Sequence, residues 1–421
     1  MITSVSGNAT ATWLQPIHCA QVEGQPDRFE PSEPAPLKIW LLHGSYTGGH
    51  ASAARSVKEA LQEQCPEAQV EIINHADLSK NPMPFSTAAE KALEGGAIRQ
   101  TVRNWGFERN FEGDPLQKWC ARQGMKVEAF LTDSLLERIQ NEQPDVLVAT
   151  QAPTADMLSY WKENQEFAAP LHAVVTDFGA HQIWSQEGVS RYYVAAESTR
   201  GDLERFGVDT SQVSVTGIPI RPAFARPPQD RAEMKKKLGL DPEKPFVLVL
   251  GGALGAVNFN KTVGALDDLP CDFQIAVVCG KNEAARKALE ADTFSHPVQA
   301  LGFVDNMVDY LDACDLIVSK PGGLSTSEIL ARGRAILILD PIPGLETQNA
   351  RRLTQAGVGR WASDLTDMGK HALELLGSPD KRAEMEKAAQ AMGRPNSAAD
   401  AASQILAAGW EHRERLSTSA I

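Results

Sequence analysis

The stretch LLHGSYTGGHASAARSVKEAL, from Leu41 to Leu61, runs from an apolar segment through a glycine-bearing turn into a helical pattern with a histidine at its start. Glycines let backbone come close to a ligand. A helix N-terminus collects anions, and a histidine can take a proton near neutral pH. Gly48, Gly49 and His50 thus have the types and spacing for an acid–base group beside a bound anion. A related pattern, LIVSKPGGLSTSEIL, occupies residues 316–330. There a buried strand ends at Ser319 and Lys320, Pro321 breaks it, Gly322 and Gly323 make the turn, and a helix begins near Leu324. Backbone N–H groups at such a start suit a diphosphate. Glu328 lies about one turn further on, placed to accept hydrogen bonds from a ribose diol. No G-x-x-x-x-G-K-[ST] is present, so this is not the phosphate loop of an ATPase.

Three further stretches offer chemistry. DPIPGLETQNARRL, residues 340–353, places Glu346 and Asn349 at i and i+3, hence on one helix face. An acid and an amide facing a cleft can hold sugar hydroxyls. VVTDFGAHQIW, residues 174–184, ends an apolar run and offers Asp177, His181 and Trp184 toward the same cleft. VLGGALGAVN, residues 249–258, is another glycine-bearing strand end and contains Gly252.

The elements that must carry these groups alternate. LKIWLL, QVEIIN, DVLVAT, LHAVVTD, YYVAA and VSVTGI are short apolar runs, with helical patterns between several of them, such as Ala51–Gln64 and Val127–Gln140. Continuous apolar strands separated by helices imply a parallel sheet covered on both faces. The texture changes over residues 217–245, rich in proline and charge, which read as an interdomain linker holding one short helix. A second series follows: FVLVLGG, FQIAVVCG, VQALGF, LIVSK and AILILD. The fold expected is α/β, with two doubly wound halves facing across a cleft. Ligands in such sheets sit at the carboxyl ends of strands, where the glycine turns are. The expected organisation is a poorly ordered extension over 1–36, an N-terminal α/β domain over 37–220, a linker over 221–245, a C-terminal α/β domain over 246–395, and a terminal helix and tail over 396–421.

Composition narrows the partners. With 421 residues the chain suits two cores, and its net charge of −13 argues against nucleic acid as the main partner. The six cysteines form no C-x-x-C pair and read as reduced thiols rather than a disulfide frame or zinc site. No stretch approaches the ~18 apolar residues of a membrane span, and the N-terminus lacks a signal-peptide pattern. A cytoplasmic protein is expected, with membrane contact peripheral and on the cytoplasmic face. Residues 80–125 break the strand–helix rhythm and interleave Trp105, Phe107, Phe111 and Trp119 with Arg99, Arg103, Arg109, Lys118 and Arg122. Aromatics and cations together suit a lipid interface.

In combination, SYTGGHASAARSVKEAL, VVTDFGAHQIW, VTGIPIRPAF, GGALG, LGFVDNM, SKPGGLSTSE and PIPGLETQNA resemble the diacylglycerol glycosyltransferases, the monogalactosyldiacylglycerol synthases and processive diacylglycerol glucosyltransferases of family 28, relatives of the peptidoglycan N-acetylglucosaminyltransferase. The resemblance spans about 37–360. It implies a GT-B fold, a UDP-sugar held by the C-terminal domain, a membrane lipid acceptor at the N-terminal domain, and inversion at the anomeric carbon. Matched motif to motif, Phe303 and Val304 lie by the uracil, Gly322, Gly323 and Leu324 meet the diphosphate, Glu328 the ribose, and Glu346 and Asn349 the hexose. Gly252 joins this donor set. His50 sits by the acceptor hydroxyl as general base, with Asp177 and His181 near it. Gly48, Gly49 and Trp184 go to the acceptor side, together with Trp105, Arg99, Arg103 and Arg109. Two positions depart from the family pattern: Thr47 where a glycine is usual, and Leu345 where a glutamine usually precedes the loop glutamate.

The expected reaction is therefore transfer of galactose or glucose from a UDP-sugar, which is a substrate and not a cofactor, to diacylglycerol or a related lipid. No D-x-D triplet is present to hold a diphosphate-bound metal, so no metal is expected. Two other readings share the scaffold. A UDP-N-acetylglucosamine-using enzyme (a lipid-linked transferase or a 2-epimerase) is one, and as an epimerase it would have no need of the aromatic, basic insertion. A non-catalytic UDP-sugar sensor could dispense with His50.

Overall fold

In the computed structural model the described residues are 35–44, 48–78, 112–251, 258–341 and 345–419. Residues 1–34 of the expected extension 1–36, the loop residues 45–47, Arg99, Arg103, Trp105, Arg109, Gly252, Pro343 and Gly344 lie outside them. The first series of apolar runs becomes β1 (Lys38–His43), β2 (Gln69–Asn74), β3 (Val146–Ala149), β4 (Leu171–Val174), β5 (Arg191–Tyr193) and β6 (Val213–Ser214). The helices of this half are α1 (Gly49–Gln64), α2 (Pro115–Leu131), α3 (Asp133–Glu142), α4 (Ala152–Glu163) and α5 (Glu197–Arg205). The chain then passes through α6 (Arg231–Lys237) into β7 (Phe246–Leu250), α7 (Phe259–Asp267), β8 (Gln274–Val278), α8 (Glu283–Ala291) and β9 (Val298–Leu301). It continues through α9 (Met307–Ala313), β10 (Leu316–Ser319), α10 (Gly323–Ala331), β11 (Ile336–Ile338), α11 (Leu345–Gln355) and β12 (Gly359–Trp361). The last elements are α12 (Leu365–Gly377), α13 (Pro379–Met392) and α14 (Ser397–Ser419).

The strands form two six-stranded sheets, ordered β2-β1-β3-β4-β5-β6 and β12-β11-β10-β7-β8-β9. Pairing is parallel throughout, with Leu42 opposite Ala149 in the first sheet and Ser319 opposite Leu250 in the second. This is the doubly wound α/β architecture expected. Each order reverses once, between β1 and β3 and between β7 and β10. A crevice opens where neighbouring crossovers lie on opposite faces, so the turns after β1, β3 and β10 are the ones placed to meet a ligand.

Packing follows from the apolar runs. Strand β3 is buried along its whole length, as are β4, β7, β8, β10 and β11. Helix α1 turns Ala53, Ala54, Val57, Ala60 and Leu61 inward, the i, i+4, i+7 stripe of an amphipathic helix. The proline-rich stretch 217–245 is itself packed: Phe224 is fully buried, and Lys235 pairs with Asp315 at 2.8 Å.

Helix α14 crosses back to the first sheet. Its Ala398, Ala401, Ala402 and Ile405 share a core with Leu37, Ile39 and Val57, and Arg413 pairs with Asp145 at 2.6 Å. Residues 36–421 consequently form one compact unit. Two details differ from expectation. Strand β12 has only three residues, GRW, too short for a recognisable apolar run. The pattern near 127–140 is two helices, which break at Thr132. Among the described residues no helix is long and apolar enough to cross a membrane.

Candidate functional site

Two helix starts meet at the crevice. Helix α1 begins after Gly48, which has φ +81°, a left-handed backbone that a side chain would strain. Helix α10 begins after Gly322. Neither has a side-chain cap or an acidic residue in its first turn. Helix α4 shares this, whereas α2, α6, α7, α8 and α12 are capped by Asp114, Asp230, Asn258, Asn282 and Asp364. First-turn amides without a side-chain cap, at the positive end of a helix dipole, suit an anion. The two starts are adjacent: a Cβ on Gly49 would lie 3.7 Å from the Leu324 Cβ. Gly49 thus faces α10 of the other sheet.

His50 stands in the first turn of α1. Its Nδ1 is 2.9 Å from the Thr150 carbonyl oxygen and 3.0 Å from Thr176 Oγ1. A carbonyl oxygen only accepts, so Nδ1 carries the hydrogen and Nε2 keeps the lone pair. Thr150 Oγ1 in turn donates to the His50 carbonyl at 3.0 Å. The ring is therefore held in the tautomer a general base needs. Thr150 and Thr176 follow β3 and β4, and the sequence reading overlooked both. Their signal was available, since each is the polar residue that ends a buried run, in DVLVAT and LHAVVTD.

Of the two groups expected near His50, Asp177 directly follows Thr176, whose hydroxyl meets the ring. The Asp177 carboxylate accepts from Asn349 Nδ2 at 3.0 Å. Burial raises this carboxyl, and the Asn349 bond pulls the other way. His181 precedes the short turn Gln182–Trp184, its ring 6.3 Å from that of Trp184. Burial lowers its imidazole to about 4, which makes it a weak proton acceptor at neutral pH. Trp184, expected on the acceptor and membrane side, is 2% exposed and belongs to the core of the first sheet with Trp161 and Tyr192.

Among the residues expected to hold the donor, Glu346 lies beside the turn before α10, 3.4 Å from where a Gly322 Cβ would be. Asn349, expected at the hexose, is fully buried. Its Oδ1 accepts from Phe178 N at 2.9 Å, and its Nδ2 donates to Asp177 Oδ1 at 3.0 Å and Pro321 O at 2.9 Å. Both amide hydrogens are engaged by protein, and no part of this side chain is open to a sugar. Phe303 follows β9 and is 72% exposed, while Val304 packs on the core below it.

Arg221, a third residue the sequence reading overlooked, holds the Asp305 carbonyl at 3.3 Å and lies close enough to Glu328 to favour its ionised form. Burial nevertheless pushes the Glu328 carboxyl up to about 7. A ribose diol donates more strongly to the charged carboxylate than to the neutral acid, so binding is expected to favour the deprotonated form. UDP-sugar affinity should then rise by about tenfold between about pH 6 and pH 8. Calorimetry across this range checks it: Glu328→Gln should flatten the profile, and a wild-type profile that is already flat would remove Glu328 from the ribose. Among the described residues no cluster of three or more histidine, cysteine or acidic groups is placed to hold a metal ion.

The family model described as monogalactosyldiacylglycerol (MGDG) synthase matches residues 50–220. The model described as glycosyltransferase family 28 C-terminal domain matches residues 246–405. A probable monogalactosyldiacylglycerol synthase 2 of Oryza sativa subsp. indica is 29% identical, over 86% of this chain and 82% of its own. A processive diacylglycerol beta-glucosyltransferase of Bacillus pumilus is 28% identical, over 83% and 89%. Among solved structures, MurG of Acinetobacter baumannii superposes with a TM-score of 0.58 at 18% identity, over 88% of this chain and 99% of that one. A UDP-GlcNAc 2-epimerase of Neisseria meningitidis, bound to UDP-GlcNAc, gives 0.57 at 14% identity, over 88% and 100%. These two likenesses concern the fold alone. The family models lie side by side over the two sheets and the relatives align across both, so the chain belongs to the diacylglycerol glycosyltransferase family, family 28 glycosyltransferases of GT-B fold.

Proposed function

We propose that this glycosyltransferase moves a hexose, galactose or glucose, from a UDP-sugar to diacylglycerol or a related lipid at a membrane surface, with inversion. The observation that carries this reading is the meeting of His50, its Nδ1 bonded to Thr150 O, with the side-chain-uncapped start of α10. His50 Nε2 takes the proton of the acceptor hydroxyl. The acceptor oxygen attacks C1 from the face opposite the diphosphate, and the C1–O bond to UDP breaks with its electron pair leaving on the phosphate. The amides at Gly322–Leu324 receive that charge in place, with no reorganisation. Glu328 takes the ribose, Phe303 and Val304 the uracil, and Glu346 the hexose. No metal enters this scheme.

The test incubates purified protein with labelled UDP-glucose, UDP-galactose or UDP-N-acetylglucosamine and diacylglycerol-bearing vesicles, with and without EDTA. Hexose label should enter the lipid phase with inverted anomeric configuration, at a rate EDTA leaves unchanged. Turnover of UDP-N-acetylglucosamine to its epimer without lipid would replace the proposal with an epimerase.

Helix α2 supports the membrane part. Leu116, Trp119 and Phe130 are 64%, 60% and 76% exposed. At 100° per residue they fall within an arc of about 60°, and the stripe runs about 21 Å along the helix. A helix with such a stripe lies in the interface plane, with tryptophan at the headgroup level. Trp119→Glu with Phe130→Glu is expected to reduce flotation with lipid vesicles and raise the apparent KM for lipid, leaving UDP affinity alone. Equal flotation of variant and wild type would make the stripe a surface feature without lipid.

A further inference from the structure

The segment after β4 is gripped from the opposite sheet. Helix α11 presents Glu346, Asn349 and Arg352 at i, i+3 and i+6, one face of one helix. Asn349 bonds Phe178 N, Asp177 Oδ1 and Pro321 O. Arg352 Nη1 donates to Phe178 O at 2.6 Å, and its Nη2 pairs with Asp202 Oδ2 at 2.5 Å. Both backbone polar groups of Phe178 are thus held by α11 side chains. The Phe178 ring, 2% exposed, joins the apolar cluster containing Ile329 and Leu330 of α10. One residue earlier, the Thr176 carbonyl abuts Gly323, and Thr176 Oγ1 reaches His50 Nδ1. Residues Thr176–Phe178 therefore touch the diphosphate turn, the sugar-side helix and the histidine at once.

We infer that Asn349 and Arg352 form a clasp that positions the Thr176–Phe178 segment, and through Thr176 the His50 ring, only when the second half is closed on the first. They are positioning residues that couple closure of the donor half to the orientation of the base. This rests on the reading of His50 as that base. Asp177 belongs to the same clasp, as the acceptor for Asn349. The physical reason is exclusivity: one buried amide satisfies a donor and two acceptors from two separate loops. Opening the halves would leave Phe178 N, the Asp177 carboxylate and the Asn349 amide oxygen to find other partners, and a buried polar group without one is costly.

The test compares Asn349→Ala, Asp177→Asn, and the exchange Asp177→Asn with Asn349→Asp, all in the full chain. Three readouts are taken: kcat with saturating donor and lipid, the ratio of UDP-sugar to UDP affinity by calorimetry, and the melting temperature. The clasp predicts that Asn349→Ala lowers kcat by about tenfold to a hundredfold, since a displacement near 1 Å costs that much. The affinity ratio should stay at its wild-type value, because the amide holds no sugar. The exchange rebuilds the 177–349 hydrogen bond with donor and acceptor reversed and should recover part of the kcat lost in each single variant. A fall in the affinity ratio with kcat kept would return Asn349 to the hexose and overturn the clasp. A kcat close to wild type in Asn349→Ala, or an exchange no better than either single variant although its melting temperature is restored, would overturn it too. If Asn349→Ala does not fold, the exchange variant alone decides, by the same two readouts. A wild-type protein with no transferase activity is a different result: it removes the reading of His50 as base, whatever the variants do.

Discussion

His50→Ala is expected to lower kcat by about 10²–10⁴-fold, the range a positioned general base contributes, while UDP-sugar affinity stays close to wild type. A lipid hydroxyl keeps its proton at neutral pH, so attack on C1 needs an acceptor for that proton as the new bond forms. His50 meets the geometric requirement. Its Nδ1 hydrogen faces the Thr150 carbonyl at 2.9 Å, leaving the lone pair on Nε2. It stands at the start of α1, across from the start of α10. On the proposed scheme the donor is gripped by groups on the other sheet, so removing the ring should cost little ground-state binding and appear in kcat rather than in donor KM. His181→Ala is the comparison. Its ring is lowered to about 4 by burial, too weak a base to serve near neutral pH, and a much smaller loss of kcat is expected. A larger loss there than in His50→Ala would move the base to His181, and a kcat within a few-fold of wild type in both would leave Asp177 as the remaining candidate.

Gly323→Ala should lower kcat/KM by about 10²-fold or more, because a misplacement near 1 Å at a reacting centre costs that much. The argument is steric. A Cβ on Gly323 would sit 1.9 Å from the Thr176 carbonyl oxygen and 3.1 Å from Ile218 Cδ1. The first neighbour is backbone and cannot swing aside. The start of α10 and the end of β4 must separate, which displaces the diphosphate amides and Thr176 together. UDP affinity and kcat should fall in parallel, and small-angle scattering should report a more open molecule. Gly49→Ala is the contrasting substitution: its Cβ would meet Leu324 at an ordinary 3.7 Å, and it should be far milder. A Gly323→Ala enzyme of normal activity would show that the halves need not come this close during turnover.

Much of the architecture was legible in the chain. The apolar runs DVLVAT, FVLVLGG and LIVSK became β3, β7 and β10 because a strand buried on both faces must be apolar at every position, and that leaves a mark in linear order. The glycine turns were legible for a similar local reason. A backbone that starts a helix directly after a strand, with nothing to cap it, reads as GGH or PGG. Family membership was legible as well, since it lies in the order and spacing of such turns. Partnerships between distant residues were not. Asn349 and Glu346 are indistinguishable by spacing as sugar ligands, yet Asn349 is buried against Asp177, 172 positions earlier in the chain. Trp184 looked like a cleft aromatic and is a core one. Thr150 and Thr176 are ordinary strand-end residues until the parallel register brings both to His50. Sequence alone determined which residues could do chemistry, because residue type and local turn geometry are properties of a few neighbours. Which of them face the crevice and which hold its two sides together was decided only by the docking of one sheet against the other, because a hydrogen bond between separate halves depends on distances that no local stretch encodes.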